Sequence, residues 1–329
     1  MKIVQFLHGD QIGGMEKFCI DITNILGKNH EVLFLGDQKF HRYIDEKITC
    51  INLDRQKSRN NIIFLWGLVK IFRKFNPDII HVHKQKSIQI MHRLKPFIKI
   101  PLIVTKQDMQ KKKAFLNLDY AVTITEEVRS TIQAKEIFKI YNGVPYLEPK
   151  KTSLANTFNI VSVGGLRKVK GYNSLIEALA PLTFDFHLTI VGEGEERENL
   201  ELLIHMLDMK DKVTLIGFVN NVNDYIYSSD LQVISSLSEG FSLAMIEGIF
   251  YAPLLISSKV SGCTEILPDK LLMNHNEMSK KIEDVYYNYN EYKVIFSETK
   301  THYREILTIE SCVKEYVKVY QQIIEIENA

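Results

Sequence analysis

Short apolar runs alternate with segments of helical spacing in the first half of the chain. Between the first two runs, the segment Gly14–Leu26 places Phe18, Ile22 and Ile25 on one face, which predicts a helix. Strands that alternate with helices favour a parallel sheet covered on both faces. Runs rich in β-branched and aromatic residues predict strands over Lys2–His8, Glu31–Gly36, Asp78–His83, Leu102–Thr105 and Ala121–Thr125.

The same alternation starts again in the second half. Helices are predicted near 172–180, 195–207 and 242–251, and Ile306–Ile326 repeats apolar residues as an amphipathic helix does. The turn-rich segment Tyr141–Lys151 separates the two series. An α/β protein with two doubly wound domains is therefore predicted. The strands of the second domain are predicted over Asn159–Gly165, His187–Gly192, Val213–Phe218, Leu231–Ser236 and Leu254–Ser258.

The distribution of charge adds to this picture. The composition, with 45% apolar and 25% charged residues, is that of a globular protein and excludes collagen-like, low-complexity, disordered and disulfide-dense classes. The formal net charge is only +1 over 329 residues. However, residues 1–150 contain 25 Lys and Arg against 15 Asp and Glu, whereas residues 151–329 contain 16 against 25. A basic half is thus joined to an acidic half.

The sequence favours a cytoplasmic protein that is soluble or lies on a membrane surface. Its four cysteines lack metal-ligand spacing, and the first ten residues lack the pattern of a signal peptide, so reduced thiols are expected. The longest apolar stretches, such as Ile62–Phe72, are about half of the roughly 20 residues that span a bilayer.

Two glycine loops are candidate anion sites, because ligands of parallel sheets bind beyond the carboxyl ends of the strands. Gly13 and Gly14 precede the first helix, whose N-terminus attracts anions; the alternative is a flexible loop in which Glu16 favours the first helical turn. Val163–Gly171 joins two glycines to two or three cations, which suits a pyrophosphate; the alternative is a solvated basic turn. Ile190–Glu195 carries acids that would repel phosphate, so a structural turn is expected there.

Two carboxylates follow the strand that ends at Ser236. Glu239 lies in a loop beside the predicted N-terminus of the next helix, where sugar or phosphate oxygens could bind. Glu247 interrupts the apolar sequence of that helix, and a carboxylate there needs a partner such as a diol. The alternative is a surface acid and a buried salt bridge. No G-x-G-x-x-G motif supports a nicotinamide dinucleotide site.

These segments together resemble the retaining glycosyltransferases of family 4, which have the GT-B fold. Glu239 and Glu247 match the E-x7-E signature of that family. The match covers nearly the whole chain, and the combination of motifs in this order is specific. The other segments that resemble family motifs are Gly13–Glu16, Asp78–His83, Ile140–Pro145, Val163–Gly171, Ala252–Pro253 and Gly262–Glu265.

The resemblance implies two Rossmann-like domains with parallel sheets facing a cleft. Residues 1–150 would form the acceptor-side domain and 151–305 the nucleotide-sugar-binding domain. Residues 306–329 would form a helix that crosses back and packs on the first domain.

Carried over by position, the resemblance implies three groups of site residues. Glu239, Arg167 and Lys170 would act in catalysis, with Glu239 on the sugar hydroxyls and the two cations on the diphosphate. Glu247 would bind the ribose hydroxyls, and Phe218 and Val219 lie where the base-binding turn falls. Backbone amides of Gly14, Gly240, Phe241 and Ser242 would hold sugar and phosphate. The acceptor or sugar would be lined by Gly13, Glu16, His83, Gln107 and Asp108, whereas His81 is expected to be structural.

Two positions depart from the family pattern. Gly165 stands where many members have Arg, so Arg167 would supply that charge from a different angle. Gln107 stands where many members have His, and Gln cannot exchange a proton near neutrality. No Asp-x-Asp motif occurs, so a metal-independent enzyme without a cofactor is expected, with the nucleotide-sugar as a substrate.

The expected activity is transfer of a sugar, from a UDP-hexose or UDP-N-acetylhexosamine, to a lipid-linked or lipopolysaccharide-type glycan. Two alternatives remain: a sugar-nucleotide epimerase of related fold, and an inactive protein that binds a nucleotide-sugar. An epimerase would convert the donor without an acceptor, and an inactive protein would bind the donor without turnover.

A basic region extends over Lys84–Lys113. Its apolar residues Ile88, Met91, Phe97 and others interleave with the cations, which suits an anionic membrane, and the alternative is a solvated surface. A peripheral position on the inner face of the cytoplasmic membrane is therefore expected, and nucleic acid is not. The cations of the region are Lys84, Lys86, Arg93, Lys95, Lys99, Lys106, Lys111, Lys112 and Lys113.

Overall fold

The computed structural model describes residues 1–9, 13–53 and 60–328. The chain folds as two units, Met1–Pro145 together with Leu307–Ala329, and Tyr146–Ile306. Each unit is an α/β structure built on a parallel sheet, which confirms the predicted fold class. Among the described residues, no helix is both long and apolar enough to cross a membrane.

The first unit contains a seven-stranded parallel sheet with the order β3-β2-β1-β4-β5-β6-β7. Its strands are β1 (Lys2–Leu7), β2 (Glu31–Gly36), β3 (Thr49–Asn52), β4 (Ile79–His83), β5 (Leu102–Lys106), β6 (Leu118–Thr123) and β7 (Ala134–Lys139). Its helices are α1 (Gly14–Leu26), α2 (Gln38–His41), α3 (Ile62–Phe75), α4 (Gln85–Leu94) and α5 (Glu126–Arg129), with 3-10 turns at Lys95–Phe97 and Lys113–Phe115.

The second unit contains a six-stranded parallel sheet with the order β10-β9-β8-β11-β12-β13. Its strands are β8 (Phe158–Val163), β9 (Phe186–Val191), β10 (Val213–Gly217), β11 (Leu231–Ile234), β12 (Leu255–Ser258) and β13 (Leu272–Met273). Its helices are α6 (Tyr172–Leu179), α7 (Arg197–Met206), α8 (Val222–Ser228), α9 (Leu243–Tyr251), α10 (Cys263–Ile266), α11 (Met278–Tyr287) and α12 (Tyr289–Tyr303), with 3-10 turns at Lys168–Lys170, Asp269–Leu271 and His275–Glu277.

The strands that the sequence pattern missed lie at the edges of the sheets. β3 and β7 flank the first sheet and β13 flanks the second. An edge strand is covered less than a central one, so it does not need a continuous apolar run, and β7 carries Lys135, Glu136 and Lys139. β6 also begins three residues earlier than predicted and ends before Thr125, whose hydroxyl accepts a hydrogen bond from Val128 N–H and caps α5.

The last helix, α13 (Ile309–Asn328), packs on the first unit against α1. It begins three residues later than predicted, because the residues before it pair with the chain at Val144. Val144 N–H donates to Leu307 O at 3.1 Å, and Ile309 N–H donates to Val144 O at 3.1 Å. The Thr308 hydroxyl then accepts from Ser311 N–H at 3.2 Å, as an N-cap does.

A buried polar network joins α13 to the central strands of the first sheet. The Tyr320 hydroxyl lies 2.6 Å from His81 Nδ1 and accepts from the Gln5 amide at 3.4 Å. Thr105 Oγ1 lies 2.6 Å from His81 Nε2 and 2.9 Å from the Tyr316 hydroxyl. His81 is therefore structural, as the sequence led us to expect.

His83 lies two residues after His81 on β4, on the same face of the sheet, and extends this network. Its Nε2 lies 2.8 Å from Gln5 Oε1, and its ring centroid lies 4.0 Å from that of His81. Burial lowers the pKa of His83 to about 3, and burial together with His83 lowers the pKa of His81 well below its ordinary value. Both rings are therefore neutral near pH 7.

Most apolar residues of the basic region prove to be core, although Phe97 is exposed. Ile88, Ile90, Met91, Leu94 and Ile98 are all buried in the first unit. Lys106 is also buried, with no exposed side-chain surface. The prediction of a surface on which these residues interleave with the cations is therefore wrong, because they follow the inward face of α4 and the interior of β5.

Gly143 should be intolerant of a side chain. A Cβ added there would overlap the backbone of Thr308 and Ile309, where the last segment joins the first unit. We expect Gly143→Ala to lower the free energy of unfolding by about 1–3 kcal/mol. Gly67→Ala is the matched control, since nothing lies within 4 Å of an added Cβ and the residue is inside α3. It should raise stability by about 0.5–1 kcal/mol. Urea unfolding checks both, and equal effects would contradict the packing.

The two neutral histidines should make the first unit acid-sensitive. Below the unfolded pKa of about 6.5, the unfolded chain takes up protons that folded His81 and His83 do not. Stability should therefore fall as pH falls from about 6.5 towards 3, by up to about 1.4 kcal/mol per pH unit for each histidine. Urea unfolding at pH 7.5 and 5.5 measures the slope. His83→Gln should reduce it, and an unchanged slope would contradict the assignment.

Candidate functional site

The predicted catalytic residues lie where the second sheet reverses its strand order. β8 is flanked by β9 on one side and by β11 on the other, so the loops after β8 and β11 diverge at the carboxyl edge of the sheet. Ligands of open parallel sheets bind in the crevice at such a point. The loop after β8 carries Arg167 and Lys170, and the loop after β11 carries Glu239 and Gly240.

An ion pair joins these two loops. Lys170 Nζ donates to Glu239 Oε1, and each of the two side chains is 14% exposed. The Ser236 hydroxyl donates to the same carboxylate oxygen at 2.8 Å. The pair is thus partly shielded from water but still open to solvent on one side, where opposite charges attract more strongly than on a free surface. The geometry thus brings together two of the three residues expected to act in catalysis, and their catalytic role stays a prediction.

Backbone contacts hold the two loops in register. The Ser235 hydroxyl donates to Lys170 O at 2.8 Å, and Leu237 N–H donates to Val169 O at 2.8 Å. Gly171 has φ +65°, and an added Cβ would overlap the carbonyl oxygen of Ser235. Any side chain at Gly171 would therefore separate the loops that carry Lys170 and Glu239.

Two further residues, which the sequence analysis did not identify, contact the backbone carbonyl of Ser236 and so act indirectly on Glu239. The Ser258 hydroxyl donates to Ser236 O at 2.6 Å, and His275 Nε2 lies 3.2 Å from the same oxygen. Both fix the residue whose hydroxyl binds Glu239. Ser258 ends a predicted strand next to β11 and could have been found from that position. His275 follows the two-residue strand β13, so no pattern pointed to it.

Several backbone amides of the glycine loop after β8 donate hydrogen bonds to backbone carbonyls of the protein. Gly164 N–H donates to Val191 O at 3.0 Å, and Leu166 N–H donates to Glu193 O at 2.9 Å. Arg167 N–H donates to Gly165 O at 2.8 Å. The amides of Gly164, Leu166 and Arg167 thus already have partners within the fold, and a pyrophosphate site at this loop stays a prediction. The side chain of Arg167 is exposed and that of Lys170 is half-buried.

The loop after β9 is structural, as its acids suggested. Gly192 has φ +151°, and a Cβ on Gly192 or Gly194 would overlap the backbone of Gly164 or Leu166. Glu193 forms an ion pair with Arg197 one turn along, at 2.5 Å between Oε1 and Nη2. These glycines are needed because the loops after β8 and β9 pack backbone against backbone.

The remaining donor-side residues lie at the start of α9, in its second turn and directly after β10. Ser242 is the N-cap of α9, and the first-turn N–H groups of a helix have no partner inside it. Phe241 is buried and its ring packs against Gly262, where an added Cβ would lie 2.6 Å from Cδ2. Glu247 is half-buried on α9. The pKa of Tyr251 is raised by the burial of its own hydroxyl and, to a smaller extent, by the negative charge of Glu247. Phe218 is exposed directly after β10, and Val219 is half-buried.

The first unit has its own switch point, between β1 and β4. Gly13 and Gly14 lie there as the N-cap and first residue of α1, and Glu16 Oε2 accepts from Gly13 N–H at 3.1 Å. Glu16 is buried and forms an ion pair with Lys84, which follows β4 and has φ +68°. The structural role of Glu16 in the first helical turn is thus present. A sugar contact by Glu16 stays a prediction.

Gln107 and Asp108 follow β5. The Gln107 amide donates to Asn142 Oδ1 at 3.4 Å. Asp108 accepts from buried Lys106 at 3.0 Å and from Lys112 at 3.1 Å. Although burial alone would raise it, these hydrogen bonds and charges lower the pKa of Asp108. Asp108 therefore fixes the loop that carries Gln107.

Within residues 1–9, 13–53 and 60–328, no three His, Cys, Asp or Glu side chains come together as a possible metal site. Metal independence remains a prediction.

Comparison with known proteins agrees with this arrangement. Residues 12–145 match the family model described as Glycosyltransferase Family 4, and residues 147–300 match that described as Glycosyl transferases group 1. An uncharacterized glycosyltransferase of Haemophilus influenzae is 28% identical over 92% of this chain and 95% of its own length. The lipopolysaccharide core biosynthesis glycosyltransferase LpsD of Rhizobium meliloti is 24% identical over 80% of this chain and 79% of its own.

Solved structures share the fold. The Anabaena protein Alr3699/HepE, in complex with UDP, has a TM-score of 0.84 over 98% of this chain and 100% of its own, at 18% identity. The two matched domains correspond to the two parallel-sheet units, each with its predicted residues at the switch point. The chain is therefore a glycosyltransferase with the GT-B fold.

Proposed function

We propose that the protein is a retaining glycosyltransferase that moves a hexose or N-acetylhexosamine from a UDP-sugar to a lipid-linked or lipopolysaccharide-type glycan. The observation that carries the proposal is the Lys170–Glu239 pair at the switch point of the second sheet, with Arg167 on the same loop three residues before Lys170. It offers cations for a diphosphate and a carboxylate for sugar hydroxyls within one small site. UDP is favoured as the nucleotide because the similar Anabaena protein binds it.

Each charged group has a defined task on the donor. Arg167 and Lys170 bind the diphosphate, and Glu239 accepts hydrogen bonds from hydroxyls of the sugar. In the free protein Glu239 neutralises Lys170 and, through Ser236, keeps both side chains in place. Such preorganisation means that little rearrangement is needed when charge develops on the donor.

The donor nucleoside is placed around α9. Glu247 binds the ribose hydroxyls, and Phe218 and Val219 contact the base. Phe218 suits this task because its ring is exposed and can stack on a base. The first-turn amides of α9, next to Gly240, Phe241 and Ser242, face a phosphate or sugar oxygen.

The transfer itself breaks the bond between the anomeric carbon and the diphosphate oxygen. The electron pair leaves with UDP, and Arg167 and Lys170 stabilise the charge on its β-phosphate. A hydroxyl of the acceptor attacks the anomeric carbon from the same face, and its proton passes to the departing phosphate oxygen. No protein nucleophile takes part, so the configuration is retained by geometry.

The acceptor side is assigned to the first unit, at its β1/β4 switch point. Gly13, Gly14, Glu16 and Lys84 lie there, and the Lys84–Glu16 pair holds the loop after β4 to the start of α1. His83 offers a neutral imidazole, and its Nδ1 has no hydrogen-bond partner among the described residues. Because Nε2 faces Gln5 Oε1, the proton is assigned to Nε2, and Nδ1 can accept from a hydroxyl.

A glycolipid acceptor also defines where the enzyme works. The similar Rhizobium protein acts in lipopolysaccharide core biosynthesis, which supports an acceptor of this class. We therefore place the enzyme in the cytoplasm, peripherally on the inner face of the membrane. It uses neither a metal nor a cofactor, and nucleic acid is not a partner.

The first experiment identifies the donor and the stereochemistry. Thermal shift against a set of nucleotide-sugars should show stabilisation by UDP-sugars first. Proton NMR of the glycan formed from an α-linked donor should then show an α-linkage. A β-linked product would overturn the retaining mechanism. Conversion of the donor without acceptor would indicate an epimerase, and binding without turnover an inactive protein.

Substituting two neighbouring cations of the loop after β8 should have very different effects on kcat. Arg167→Ala should lower kcat by about 10²–10³-fold, because it removes charge stabilisation of the leaving diphosphate. Lys168→Ala is the matched control: Lys168 lies on the same turn and is exposed, yet it has no assigned contact with the donor. Its kcat should stay within about twofold. Steady-state assays measure both, and equal losses would contradict the assignment of Arg167.

A further inference from the structure

Exposed apolar side chains gather on one surface of the first unit. Ile62, Ile63 and Trp66 of α3 and Phe97 of the 3-10 turn after α4 are all exposed, and Ile63 reaches 85%. The rings of Trp66 and Phe97 touch, with 5.7 Å between their centroids. We call these four residues the α3 patch. Large apolar side chains that cluster on a surface mark a site of interaction with a protein or a membrane.

The exposed face of α3 changes character along its length. Positions 62, 63, 66, 70, 73 and 74 are exposed at helical spacing, whereas Leu68, Val69 and Phe72 are buried in the core. The first turns of the exposed face are therefore apolar, and its last turns carry Lys70, Arg73 and Lys74. One face of α3 thus packs in the core, and the opposite face is exposed, apolar at its start and basic at its end.

The surroundings of the patch are basic. α3 contains no acidic residue, and neither does the segment from Lys84 to Lys99. That segment adds exposed Arg93, Lys95 and Lys99 on either side of Phe97, and Lys95 also pairs with Asp119. Apolar and aromatic groups flanked by Lys and Arg match the interface of an anionic bilayer, where rings lie at headgroup level and cations meet lipid phosphates.

We propose that the α3 patch and the adjoining basic residues dock the enzyme on an anionic lipid bilayer, with Trp66 and Phe97 inserted at headgroup depth. Membrane docking is argued from the surface itself. It rests on the proposed function only in its biological role, which is to bring the acceptor side of the enzyme to a lipid-linked glycan. The docking surface overlaps the surface expected from the sequence only at Phe97 and the neighbouring cations, because most apolar residues of that region are core and Ile62, Ile63 and Trp66 lie before it.

A bilayer fits this surface better than a second copy of the chain. A twofold dimer through the α3 patch would bring the same surface of both copies together. Because neither α3 nor the segment from Lys84 to Lys99 contains an acidic residue, that surface would offer its own cations no opposite charge. Lipid phosphates neutralise these cations, and the attraction should weaken as salt rises.

Trp66 is the only tryptophan of the chain, so its fluorescence reports on the patch directly. We expect its emission to shift to the blue and to be quenched by brominated acyl chains on vesicles of phosphatidylcholine with phosphatidylglycerol. Vesicles of phosphatidylcholine alone should give much less binding. An unchanged Trp66 spectrum on anionic vesicles at low salt would overturn the proposal.

Ile63→Ser tests the apolar part of the surface without disturbing the core. It should weaken binding to anionic vesicles by about tenfold in sedimentation assays, since it removes an apolar side chain from the interface. The matched control is Leu202→Ser on α7 of the second unit, where Leu202 is 59% exposed, and it should bind like the parent chain. Equal binding by Ile63→Ser and the parent would contradict the proposal.

The result remains separable from the proposed function. Stabilisation by UDP-sugars should be the same in Ile63→Ser and in the parent chain, because the α3 patch contains none of the assigned donor residues. If donor binding fails in both while vesicle binding persists, only the proposed function is wrong. A dimer seen by light scattering that Ile63→Ser dissociates, without vesicle binding, would assign the patch to a second copy instead.

Discussion

Parallel strand pairing is the constraint from which the rest of the molecule follows. All strands of a parallel sheet end at the same edge, and each connection must return across a face. The chain fulfils this twice, and in each unit the order reverses beside the first strand, at β1/β4 and at β8/β11. Loops diverge only there, so side chains from two distant segments can meet. Lys170 and Glu239 meet in this way, although 69 positions separate them.

The same constraint explains what the sequence could and could not reveal. Central strands such as β4 and β11 are buried on both faces and appear as apolar runs, so the fold and the loops that follow these strands were predictable. Edge strands such as β7 are not. Residue identity also did not reveal burial: the lysines of the basic region looked alike in sequence, yet Lys106 is buried against Asp108. Likewise, His275 acts on Ser236 only through the tertiary fold.

The role of the glycines in the second unit was also not evident from their sequence pattern. The sequence suggested that the loop with Gly164 and Gly165 is an anion site. The structure uses the amides of Gly164 and Leu166 to join the loop after β8 to the loop after β9, and Gly192 and Gly194 allow that approach. Glycine is required here for close packing of backbone on backbone. In the proposed function, the charge that offsets a diphosphate comes from the side chains of Arg167 and Lys170.

Burial distinguishes three of the lysine–carboxylate pairs that lie at the carboxyl ends of strands. Lys106 has no exposed surface and binds both Asp108 and the carbonyl of Gln110, so its partners cannot be exchanged without leaving a buried charge unpaired. Lys84 holds a carboxylate that also caps α1. Lys170 and Glu239 keep an open side, and each can gain a ligand partner while the other stays near. Each of these two side chains is 14% exposed, so the pair is partly shielded and a ligand can still reach it. In the proposed function, the basic loop after β8 attracts a diphosphate although it lies in the acidic half of the chain, and Glu239 holds Lys170 in place.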